Sequence, residues 1–78
     1  MYSYPVKDLN ELLRYIAMGI APGKTLRFTY HDEPIVISLD RDEEYHVKFA
    51  CSRRSYCDYE KLKNSLKDIL DTVARCAA

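Results

Sequence analysis

The residues able to do chemistry in this chain are few: Cys51, Cys57 and Cys76, His31 and His46, and a run of carboxylates around Asp40, Asp42, Glu43 and Glu44. Zinc wants four nitrogen or sulfur ligands brought together, usually as closely spaced Cys or His pairs. Cys51 and Cys57 have five residues between them, and an odd number of positions separates His46 from Cys51. On a single strand an odd separation sends two side chains to opposite faces, so this pair does not converge. No metal site is expected. Asp40-x-Asp42 followed by Glu43-Glu44 has the opening of a calcium loop but lacks the glycine and distal glutamate that close one. It reads as a solvated hairpin tip.

Nucleophilic catalysis needs a nucleophile, a base and an orienting group in contact. Cys57 with His46 or His31 is the candidate set. His31 ends one strand and His46 begins another, which places them at opposite ends of a sheet. Neither has a path to Cys57 with a carboxylate behind it, so the protein is not expected to be an enzyme. Phosphate cradles need glycine-rich loops. Gly19 and Gly23 are the chain's two glycines and have no such spacing, so no cofactor is expected.

The elements that must position these residues follow from periodicity. Leu9, Leu12, Leu13, Ile16 and Ile20 share one helical face, with Asp8 as N-cap and Glu11 three residues on, giving a helix over about 8–20. Pro22-Gly23 stops it. Alternation predicts strands at about 24–30, 35–39 and 45–51, with Leu26, Phe28, Ile35, Ile37, Val47, Phe49 and Cys51 among the inward positions. His31-Asp32-Glu33-Pro34 and Asp40-Arg41-Asp42-Glu43 are the turns between them. Ser52-Arg53-Arg54-Ser55 reads as a lead into a last helix over about 56–76, capped by Ser55 or Asp58. Its stripe is Tyr59, Leu62, Leu66, Ile69, Leu70, Val73 and Ala77. The expected fold is a single α+β domain over 1–78, ordered α-β-β-β-α. Its sheet is a three-stranded antiparallel meander with both helices on one face. The other face, with Arg27, Ser38, His46 and Lys48, is open.

Composition narrows the function class. Hydrophobic residues make up 47% and charged residues 31%, which excludes a disordered chain. No apolar run spans a membrane. The start, Met1-Tyr2-Ser3-Tyr4-Pro5, lacks a signal-peptide layout, and Cys76 is one position too late for a prenylation box. A cytoplasmic protein with reduced thiols is expected, with Cys51 and Cys76 buried. The net charge is zero, but residues 1–30 carry +2, residues 31–46 carry −5 and residues 47–78 carry +3.

The α-β-β-β-α order resembles that of double-stranded-RNA-binding domains and of HicA-type toxins, across the whole chain and by topology alone. The RNA-binding family's Gly-Pro-x-His-type loop corresponds here to the acidic His31-Asp32-Glu33-Pro34. Its lysine cluster opening the last helix corresponds to Arg53, Arg54, Lys61 and Lys63, interrupted by Asp58 and Glu60. The toxins' Gly-Ser-His-like strand motif has no counterpart. Neither family is assigned.

Two surfaces stand out for binding. The acidic tips hold Asp32, Glu33, Asp40, Asp42, Glu43 and Glu44. The basic and aromatic start of the last helix holds Arg53, Arg54, Tyr56, Lys61 and Lys63. Tyr2, Tyr4, Tyr15 and Tyr56, among seven tyrosines, fall outside the core pattern, and tyrosine with arginine anchors interfaces. The expected function is that of a small non-enzymatic protein-binding module. Its model is the stoichiometric inhibitor of phage or mobile-element type, such as an anti-CRISPR, that blocks a host protein or nucleoprotein complex. The alternative is a nucleic-acid-binding module. A protein partner, no membrane, and a monomer or homodimer complete the expectation.

Overall fold

Asp8 starts the first helix as its spacing predicts. Its carboxylate accepts the Glu11 N–H at 2.9 Å, satisfying one of the donors that a helix start leaves free. The computed structural model describes residues 3–50 and 52–77, with Ala77 by its backbone alone. Helix α1 runs Leu9–Gly19 and buries Leu12 and Ile16. Helix α2 runs Tyr59–Ala77, and its cap is Asp58, whose carboxylate accepts the Lys61 N–H at 2.8 Å. Ser55 is not the cap, because the chain at Ser55 is still extended.

The expected three-stranded meander is the centre of a larger, mixed sheet. Strands β2 (Thr25–Tyr30), β3 (Glu33–Leu39) and β4 (Tyr45–Phe49) pair antiparallel in sequence order. Two strands are added. At one edge β1 (Tyr4–Pro5) runs parallel to β2, and at the other β5 (Ser52–Tyr56) runs antiparallel to β4. The order is β1-β2-β3-β4-β5.

Both additions escape a hydrophobic-pattern search for the same reason. Neither strand contains a fully buried side chain, so neither shows alternation. Backbone pairing with a neighbour makes them strands, which is a tertiary effect that local propensity does not report. The last helix therefore starts at Tyr59 rather than near residue 56.

The turns are short. Tyr30 pairs with Glu33, and the two residues between, His31 and Asp32, both have positive φ, as a tight hairpin requires. Glu33 and Pro34 thus belong to β3 rather than to the turn. The β3–β4 loop, residues 40–44, is organised by Asp40. Its Oδ1 accepts the N–H groups of Asp42 at 2.9 Å and Glu44 at 3.0 Å.

One sheet face is covered by both helices. Phe28, Ile35, Ile37, Val47 and Phe49 meet Leu12, Ile16, Leu62, Leu66, Ile69 and Val73 in one core. No buried polar or charged residue interrupts it among the described residues. The third strand ends at Phe49, because Ala50 turns out of it with a φ of 44°. Cys76 is exposed rather than buried. The expected burial of Cys51 and the role of Tyr2 lie outside the described residues. No described helix is long and apolar enough to cross a membrane.

Candidate functional site

The uncovered sheet face is built from two cross-strand rows. In one, Thr25, Ser38, His46 and Ser55 lie side by side across β2 to β5. In the next, Arg27, Val36, Lys48 and Arg53 do the same. The first row is hydroxyls and an imidazole; the second holds three cations and no carboxylate. A shallow hollow of about 430 Å³ lies over them, lined by Thr25, Ser38, His46, Lys48, Arg53 and Ser55 among others.

Two of the hollow's lining residues, His46 and Ser55, form a chain of polar side chains with Asp40 of the neighbouring loop. The His46 Nε2 lies 2.9 Å from Asp40 Oδ2, and its Nδ1 lies 3.1 Å from Ser55 Oγ. Asp40 is ionised and can only accept, so in the neutral imidazole Nε2 carries the hydrogen. Nδ1 is then an acceptor, and Ser55 Oγ–H donates to it. The pair is partly exposed, with 44% of the His46 side chain and 39% of the Asp40 side chain open to solvent. The His46 hydrogen bond, aided by the Glu44 and Asp42 N–H groups, holds the Asp40 carboxyl below its ordinary value.

The sequence alone does not reveal this chain, because Ser55 reads there as part of a lead into the helix. With β5 in place, Ser55 is the direct cross-strand partner of His46. The sequence signal for it is faint. It is the Arg53-x-Ser55 spacing beside a strand whose own outward residues are His46 and Lys48.

The expected site residues are dispersed. Asp32 and Glu33 lie at one end of β3, whereas Asp40, Asp42, Glu43 and Glu44 lie at the other. Seven residue steps separate Glu33 from Asp40, about 23 Å of extended chain, so the tips do not form one surface. Arg53 and Arg54 are split by the pleat. Arg53 joins the open-face row, while Arg54 lies on the helix side over the Phe49 ring, 5.5 Å from its centroid. Tyr56 pairs with Tyr45 on the core side, and its hydroxyl is buried without a partner among the described residues. Lys61 donates to the Cys57 sulfur at 3.2 Å. That bond, with the charges of Cys57 and Asp58, raises the Lys61 ammonium above its ordinary value. Lys63 is exposed on α2.

No cysteine joins a cluster of metal-ligating groups among the described residues. The groups that do come together are Asp40, Glu44 and His46, with donor atoms within 4.8 Å of one another. Asp40 and His46 already satisfy each other there.

A second feature lies at the opposite sheet edge, between β1 and α1. The Tyr4 and Tyr15 rings sit 5.0 Å apart, and the Tyr15 ring is 5.8 Å from buried Phe28. Tyr4, Tyr15, Met18, Gly19 and Leu26 line a mostly apolar hollow of about 280 Å³. Met18 is 79% exposed and Tyr4 40%. These are the exposed large hydrophobic residues among those described, and they adjoin one another.

No protein family, curated protein or solved structure matches this chain.

Proposed function

We propose that this protein acts by docking onto another protein, and that the docking surface is the Tyr4–Tyr15–Met18–Leu26 patch. The observation that carries this reading is the convergence of the exposed large hydrophobic residues on one aromatic-backed hollow. Exposed apolar residues scattered singly need no explanation, but a contiguous group does. Tyrosine presents a rigid, amphipathic surface, and methionine adapts to an irregular one. Interfaces concentrate their energy in such residues. A chain of this size can cover a partner's site and block it in a one-to-one complex. Affinity capture from the native host with the wild type and with Met18→Glu/Tyr4→Ser tests the reading. A captured protein should be lost from the variant while the far-ultraviolet circular dichroism is unchanged. Identical capture by the two proteins would overturn it.

A second reading rests on a separate observation. Lys48 and Arg53 are directly opposed across β4 and β5, and Arg27 lies in the same row. Like charges placed opposite each other destabilise a sheet unless an anion sits between them. On this reading the open face takes a nucleic-acid backbone. Among the described residues it holds no exposed aromatic platform for bases, so contacts would be to phosphates and independent of sequence.

A further inference from the structure

The Asp40–His46–Ser55 chain goes beyond either binding reading. We infer that Ser55 is a nucleophile, with His46 as its general base and Asp40 as the group that orients the imidazole, acting on carboxylic esters that carry a negative charge.

The geometry has each part in its required order. An ionised carboxylate receives Nε2–H at 2.9 Å and so dictates the tautomer. The opposite ring nitrogen presents its lone pair to the Ser55 hydroxyl at 3.1 Å. This is the arrangement that activates a hydroxyl in triad chemistry, with the roles of the two ring nitrogens exchanged. Triads are recognised by geometry and role rather than by fold or chain order. Ser55 also faces a hollow rather than a packed neighbour. Lys48 and Arg53 stand one pleat repeat along the same face, about 7 Å away, within reach of long side chains. They supply the positive charge that an oxyanion and an anionic substrate group need.

The step balances within these residues. Ser55 Oγ bonds to the ester carbonyl carbon while its proton passes to His46 Nδ1. The carbonyl oxygen takes the electron pair of the opened C=O bond. When the C=O bond reforms, the bond to the alcohol oxygen breaks and His46 returns the proton to that oxygen. Water then releases the acyl group by the same route in reverse. Asp40 touches neither substrate nor the reacting oxygen and is a positioning residue.

An alkyl fluorophosphonate tests the nucleophile directly. Attack by Ser55 forms an O–P bond and expels fluoride, leaving a fixed mass increment. Intact-mass and peptide analysis should show one addition, at Ser55, that is abolished in 8 M urea and in Ser55→Ala. General-base catalysis contributes about 10²–10⁴-fold, so His46→Gln should slow labelling by about 100-fold or more. The labelling rate should fall on acidification, and Asp40→Asn should alter that pH profile while Asp40→Glu restores it. No addition to the folded wild type, addition at another residue, or equal labelling of folded and urea-unfolded protein would overturn the inference. So would wild-type labelling of His46→Gln. The comparison with unfolded protein needs no variant, so the test stands even if a substitution fails to fold.

Discussion

At the scale of single residues, Asp40 does the most. One carboxylate oxygen closes the β3–β4 loop by accepting two backbone N–H groups, and the other fixes the His46 ring. These bonds favour its ionised form, so its native pKa lies below the ordinary 3.8. Folding linkage gives the sign. A group with a depressed native pKa contributes stability that is fully present above its unfolded value and lost as pH falls through the native one. Urea unfolding at about pH 5 and about pH 2 should therefore show a larger loss of stability in the wild type than in Asp40→Asn. Equal losses would mean that these bonds contribute nothing to folding. Asp40 and His46 were both visible in the sequence as a hairpin carboxylate and an outward histidine. Their contact was not, because it depends on how the five-residue loop curls.

At the scale of elements, β5 decides what the open face contains. It carries Arg53 and Ser55 onto that face and turns Arg54 and Tyr56 toward the helices. In a loop those four residues have no fixed sides, so a sequence reading groups Arg53 with Arg54. A pleat separates them, since neighbours along a strand point in opposite directions. Tyr56 is β5's link to the core, packed against it at the strand's end. Its buried hydroxyl has no partner among the described residues. Burying an unsatisfied hydroxyl costs free energy, whereas an apolar group of the same shape does not. Tyr56→Phe should therefore leave stability unchanged or raise it by about 1 kcal/mol, measured by denaturant midpoint. A clear loss would mean that the hydroxyl makes a stabilising hydrogen bond. The helices and the three central strands, by contrast, were legible. Leu12, Ile16, Leu62, Leu66, Ile69 and Val73 repeat at helical spacing, and each is fully buried.

At the scale of the whole molecule, a net charge of zero conceals a sorted surface. Carboxylates crowd the loop beyond β3, while Arg27, Lys48 and Arg53 line the open face. This sorting gives the nucleic-acid reading its test. Three phosphate contacts predict that log K falls with log salt at a slope of about −2 to −3. Lys48→Ala should reduce that slope by about 1 without changing sequence preference. Binding to duplex DNA or RNA followed by fluorescence anisotropy checks it. No binding at low salt would leave the apolar patch as the contact surface, and charge would then serve solubility alone. The three surface features occupy different places. The Tyr4–Met18 patch is at the β1 edge, the relay and basic row are on the open face, and the carboxylates are in the loop. The patch can be disabled without touching the other two, whereas Asp40 belongs both to the loop and to the chain on the open face.

The sequence by itself determined the α+β class, two capped amphipathic helices, three core strands and the composition of the core. Each of these follows from hydrophobic periodicity and local capping, which depend on residues a few positions apart. Tertiary structure alone decided that residues 52–56 and Tyr4–Pro5 are strands, that Ser55 meets His46, that Arg53 and Arg54 part company, and that Met18 and Tyr4 share a hollow. Those outcomes depend on how separate segments of the chain come together, two of them, β1 and β5, with no buried alternation of their own. Backbone hydrogen bonding to a neighbour, rather than any pattern within the segment, sets where such residues go.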